Sequence, residues 1–189
     1  MRQESTDRRS QRTRQQLIEA LAELMREKRY SAISVQEITD RANVGRSTFY
    51  AHFTDKDDLM VQGVRRMVGT LEPGPPSATN TLAPSLALFH HVADGRNLRH
   101  SMTHGRLSMF FDALQVELTA MFVERLEPRL PPTPTRVPVP LLAAMVAGML
   151  ITAVRTWLES DPSASAEEVN RSFTIAAEAA LRAGLRPAA

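Results

Sequence analysis

Between Val35 and Lys56 the chain sets two short amphipathic segments on either side of a tight turn at Ala42-Asn43-Val44-Gly45, and this stretch constrains the fold more than any other. Ser34-Val35-Gln36-Glu37 has the spacing of a capping box, in which the serine oxygen takes an amide hydrogen and the glutamate reaches back. A short helix is therefore expected from Ser34, and a second over about Gly45 to His52. Ile38, Ala42, Val44, Phe49 and Phe53 fall where a small shared core fixes the angle between them. Asn43 suits the turn because asparagine tolerates a left-handed backbone. Gly45 is an acceptable start for the next helix, though weaker than Ser or Asp. Two helices joined in this way have the shape that projects the second into a DNA major groove. Its exposed residues are Arg46, Ser47, Thr48, Tyr50 and His52, hydrogen-bonding groups with little apolar surface, which suit a groove better than a core.

Nearly all the rest also reads as helix. Leu17, Ile18, Leu21, Leu24 and Met25 follow the 3.6 period and predict a first helix over roughly Ser10–Lys28. A fourth begins after Thr54, with Asp55, Asp57 and Asp58 where acids suit the helix dipole. Glu72-Pro-Gly-Pro-Pro-Ser-Ala-Thr-Asn-Thr81 is a loop between two parts. Further helices are expected over about Leu82–Ala93, Gly95–Met102 and Gly105–Glu127. A second proline-rich loop (Pro128, Pro131, Pro132, Pro134, Pro138) then precedes two more, near Val139–Glu159 and Ser165–Ala183. No alternating β-branched run is long enough for a sheet.

Charge is unevenly spread. The 189 residues carry a formal net charge of +2, yet residues 1–66 hold 13 Lys/Arg against 10 Asp/Glu, and the first 14 hold five Arg against two acids. Such a tail suits phosphate, or is simply solvated. With no cysteine there is neither a disulfide framework nor a cysteine-based zinc site or nucleophile, which fits a cytoplasmic protein. The polar, basic start does not resemble a secretory signal. Phosphate-binding glycine loops, nucleophile elbows, HExxH and paired carboxylates in a pocket-like setting are not found, so the sequence argues against an enzyme and for no metal or cofactor. His100 and His104 have helical metal-ligand spacing but no accompanying carboxylate, so with His90 and His91 they read as surface or pocket-lining residues.

The stretch Tyr30–Leu59 resembles the signature of the TetR family of transcriptional regulators, above all in Thr48-Phe-Tyr-x-His-Phe-x-x-Lys-x-x-Leu59. The resemblance implies an all-α protein of about nine helices: a three-helix helix-turn-helix DNA-binding domain at 1–55, with a basic tail at 1–12, and a helical effector-binding and dimerisation domain at 56–189. It places Arg46 and Ser47 at base edges, Thr48, Tyr50, His52 and Lys56 at phosphates, and Ser34 as a helix cap beside the DNA backbone. The tail arginines Arg8, Arg9, Arg12 and Arg14 would reach an adjacent minor groove or only raise non-specific affinity. The implied partners are double-stranded DNA, a second copy of the chain and a small-molecule effector.

The C-terminal half supports this layout. Residues 137–154 carry no charge. That length is borderline for a membrane span, and two prolines together with Ala144, Gly148 and Thr152 argue for a buried soluble helix and against membrane association. The last helix has its own stripe at Val169, Phe173, Ala176, Ala177 and Ala180. Paired with the preceding helix in two subunits it would form a four-helix interface using Ala144, Gly148, Ile151, Phe173 and Ala177. Met102, Leu107, Phe110, Phe111, Leu114 and Met121 would line an apolar effector pocket. An activator and a helical interaction protein that does not bind DNA are the alternatives to a repressor.

Overall fold

The computed structural model describes residues 2–71, 76–77, 79–94, 104–159 and 164–188, with side chains described from Arg8 onward and, in the helix that starts at His104, from Ser108. Among these residues the chain forms eight α-helices: α1 (Arg2–Glu27), α2 (Val35–Arg41), α3 (Arg46–Tyr50), α4 (Lys56–Thr70), α5 (Ala83–Asp94), α6 (His104–Leu126), α7 (Val139–Glu159) and α8 (Ala166–Gly184). Short 3₁₀ turns lie at Tyr30–Ala32 and Glu127–Arg129. The all-helical expectation holds. The helix expected over Gly95–Met102 lies outside the described residues.

Two compact units share the chain. The first comprises residues up to Val64 together with α6 as far as Phe110; the second comprises Arg65–Arg96 and Phe111–Ala189. The division therefore falls within α4, nine residues beyond the boundary expected at 55, and again within α6.

In the first unit, Leu17, Leu21, Leu24, Ile38, Ala42, Phe49, Phe53 and Leu59 form a buried cluster, with Val44, Met109 and Phe110 packed against it. Phe49 and Phe53 lie 5.7 Å apart, tilted by 46°. The expected core of the two-helix motif is thus present residue for residue. α1 differs from expectation: it starts at Arg2, so the basic tail is continuous with the first helix.

In the second unit α8 packs against α7 and α5. α7 buries Leu142, Ala143, Val146, Ala147, Leu150, Ile151, Val154 and Trp157. Its length and apolarity would let it cross a membrane, but in this fold those side chains are the core of the unit. Trp157 meets Phe89 edge-on at 5.7 Å, and Ser165 closes a second capping box with Glu168 at the start of α8. Residues 134–137 pair antiparallel with 184–188: Arg136 N–H donates to Arg186 O (2.7 Å), Val137 N–H to Gly184 O (3.1 Å) and Ala188 N–H to Pro134 O (2.9 Å). Nothing in the proline-rich loop signalled that ladder.

Candidate nucleic-acid interface

Local chemistry fixes the helix-turn-helix before any packing does. Ser34 Oγ accepts from Glu37 N–H (3.3 Å), and Glu37 Oε2 accepts from Ser34 N–H (2.9 Å), completing the expected box. Glu37 also pairs with the Lys28 ammonium. The Lys28 hydrogen bond, followed by the two from Ser34, lowers the Glu37 carboxyl from 4.5 to about 2. At the other end of α2, Asn43 adopts φ 53°. Val44 N–H then reaches Thr39 O (3.0 Å) and Asn43 N–H reaches Asp40 O (3.2 Å), the paired bonds of a Schellman stop. Arg41 clamps α2 to α1 through both guanidinium nitrogens on Glu27 (2.9 Å each) and one on Glu23 (3.2 Å). This places α3 at a fixed angle with its outer face open.

Arg46, Ser47 and Tyr50 are exposed on α3, whereas Thr48 is half-buried. Tyr50 is 52% exposed and stands edge-on to the buried Phe49 ring at 5.3 Å, so its hydroxyl end points away from the core. His52 is half-buried in the turn after α3. Burial, and then the charge of Arg14, lower its imidazole below the ordinary value. A neutral ring at pH 7 offers one N–H donor and one acceptor. Ser34 is exposed beside α2, with its hydroxyl engaged in the capping box.

Lys56 is placed differently from a free phosphate-binding lysine. Its ammonium donates to Tyr30 O (3.0 Å) and Ile33 O (2.7 Å) and lies 4.6 Å from the Tyr30 ring centre. Tyr30, fully buried, returns its hydroxyl to Lys56 O (2.9 Å) and Asp57 Oδ1 (2.5 Å). This reciprocal knot ties the start of α4 to the turn before α2. Asp55 caps the same end, accepting from Asp57 and Asp58 N–H at 2.8 Å each. Sequence reasoning included Tyr30 in the motif but gave it no task; an aromatic just ahead of a cap was the available signal. It also gave no individual role to Arg14, whose charge acts on both His52 and Asp58.

The other expected sites divide. Phe110 packs on the first unit's core. Phe111, Leu114 and Met121 are buried in the second unit, and the Arg155 guanidinium covers the Phe111 ring at 4.5 Å. Met102 and the Leu107 side chain lie outside the described residues. Ile151, Phe173 and Ala177 are buried within the single chain, so they do not form an exposed face: they point inward between α7, α8 and their neighbours. Ala144 and Gly148 are half-buried. Gln115 Nε2 donates to Ala144 O (2.9 Å), and a Cβ on Gly148 would meet Gln115 Oε1 at 3.6 Å. The outward residues include Leu141, Met145 and Thr152 on α7, and Ser172, Ile175, Ala176, Ala179 and Ala183 on α8, beside charged exposed residues such as Arg155, Arg171 and Arg182. No group of three or more metal-ligating side chains occurs among the described residues.

A capped helix-turn-helix is followed in sequence by a second, helical unit. Residues 17–62 match the family model described as bacterial regulatory proteins, tetR family. A stretch of 66 residues is 35% identical to the uncharacterized HTH-type transcriptional regulator YxbF of Bacillus subtilis (strain 168). That stretch is 34% of this chain and spans only 17% of that relative's length. A TetR transcriptional regulator from Rhodococcus sp. RHA1 shares the fold with TM-score 0.66 and 14% identity, over 90% of this chain and 97% of that one. The repressor FadR of Thermus thermophilus, solved with lauroyl-CoA, has TM-score 0.58 and 18% identity, over 87% and 93%. The helix-turn-helix stretch is thus similar to the tetR family of bacterial regulatory proteins, and the chain shares its fold with solved TetR regulators.

Proposed function

We propose that this protein is a transcriptional repressor that binds a palindromic operator as a homodimer and is released by a small, mostly apolar effector. The observation that carries the reading is the outer face of α3, where Arg46, Ser47 and Tyr50 stand exposed on a helix held by a capping box and a Schellman stop. In this reading Arg46 and Ser47 meet base edges. Thr48, Tyr50 and His52 meet phosphates, and Ser34 holds α2 against the backbone. Lys56 acts mainly by holding α4 in place, its ammonium already shared between two carbonyls.

The dimer surface we assign is the outward stripe of Leu141, Met145 and Thr152 on α7 with Ile175, Ala176, Ala179 and Ala183 on α8. Leu141, Met145 and Ile175 are 54%, 49% and 67% exposed, apolar area that a second copy would cover. Ala144 and Gly148 lie at its edge. Two α3 helices related by a two-fold axis then meet two half-sites. We assign the effector region to α6 within the second unit, where Phe111, Leu114 and Met121 are buried. The lauroyl-CoA in the complex of the Thermus regulator supports acyl-chain ligands, with or without coenzyme A, as the class to try first.

The test is fluorescence anisotropy on DNA from upstream of the protein's own gene, with scrambled competitor and then with an acyl-CoA series. Saturable binding that survives competitor and is reversed by a ligand is expected. Binding that scrambled DNA abolishes would count against sequence-specific regulation at that site.

A further inference from the structure

Residues 2–16 contain no hydrophobic residue, yet α1 begins at Arg2. The first buried residue of the helix among those described is Leu17. At about 1.5 Å per residue this is roughly 20 Å of helix that carries no apolar side chain. Arg8, Arg9, Arg12 and Arg14 are all exposed, and none forms an ion pair with a described residue. They do not share a face. Helical spacing puts Arg8, Arg9 and Arg12 together and Arg14 on the opposite side.

Arg14 has a defined neighbourhood. One turn further on, Ile18 faces α4, where a Cβ on Gly63 would meet Ile18 Cγ2 at 3.5 Å. Arg14 shares that face and is the charge felt by His52, just past α3, and by Asp58, in the first turn of α4. The Asp58 carboxylate is occupied by Thr54 N–H (2.9 Å) and Gln62 Nε2 (2.9 Å). The guanidinium therefore stands at the edge of the candidate DNA face, with no ion-pair partner among the described residues.

We propose that Arg14 is a DNA-contacting residue that binds a backbone phosphate beside His52, delivered by a helix and not by a flexible arm. The proposal rests on the DNA-binding reading above and adds a residue and a mode of contact to it. A minor groove is about 6 Å wide, whereas a helix with side chains measures roughly 10–12 Å across, so a residue held on α1 meets phosphates and not the groove floor. Phosphate contacts position the protein but carry no base information. Arg8, Arg9 and Arg12 face away and serve as an internal control.

The experiment measures binding of wild type, Arg14→Ala, Arg14→Lys and Arg12→Ala to short duplexes of mixed, all-A·T and all-G·C sequence across a salt series. Arg14→Ala is expected to flatten the plot of log affinity against log salt by about 0.9 for each arginine in contact. The loss should be equal on the three duplexes, restored by Arg14→Lys and much larger than for Arg12→Ala, at unchanged melting temperature. Three results overturn the proposal: an unchanged slope for Arg14→Ala, an equal loss for Arg12→Ala, or a loss confined to A·T DNA, which would mark a minor-groove arm. If the wild-type protein binds none of the duplexes, the DNA-binding reading itself falls, and this proposal with it.

Discussion

Asn43 holds φ 53°, and the two hydrogen bonds that stop α2 exist only because it does. A β-branched residue pays a steric cost there, so Asn43→Val is expected to destabilise the helix-turn-helix by about 1–2 kcal/mol while Asn43→Gly is tolerated, as read by urea melts. The exposed residues answer to a different assay. Arg46→Ala should relax preference at one base pair by about 1–3 kcal/mol. Tyr50→Phe should weaken all sequences alike. An Arg46 variant with an unaltered base preference would remove that residue from the readout. Lys56→Ala carries a double expectation: uniform loss of DNA affinity together with a lower melting temperature, because its ammonium serves two carbonyls and the Tyr30 ring.

The elements begin and end where local chemistry says they should. Ser34 and Ser165 each close a capping box on a glutamate three residues on; the first made α2 legible in the sequence, whereas the last helix was legible from its apolar stripe at Val169, Phe173, Ala176, Ala177 and Ala180. Phe49 and Phe53 were legible as core because period and apolarity agree there. The start of α1 was not, since a helix without apolar residues leaves no periodic signal. Nor was the task of Lys56, because spacing locates a side chain but does not say which carbonyls it meets. The inward turn of Ile151, Phe173 and Ala177 was hidden for a related reason: in an apolar helix, sequence does not separate the face meeting its own chain from the face left outside. Acid offers a test of the α2 cap. Glu37 is lowered from 4.5 to about 2 in the fold, so its stabilisation is complete above pH 4.5 and fades as pH falls towards 2. Glu37→Gln should reduce the steepness of that acid loss, and a variant with the wild-type acid profile would show that the Lys28 and Ser34 contacts contribute nothing.

For the whole molecule, inward and outward residues of α7 and α8 should separate folding from association. Phe173→Ala is expected to cost about 3–5 kcal/mol of stability through the cavity it leaves. Ala179→Glu should leave the monomer folded but disperse the dimer in sedimentation and weaken operator binding. A dimer that persists would place the interface elsewhere. The antiparallel ladder joining residues 134–137 to 184–188 bears on time as well as structure. Its two sides are separated in sequence by the whole of α7 and α8, so closing it first would demand a large loss of chain entropy for three hydrogen bonds. The hairpin of α7 and α8 must therefore assemble before the ladder can register. Damage to the ladder is then expected to hasten unfolding while leaving the rate of folding nearly untouched, making it a latch that sets how long the body stays folded.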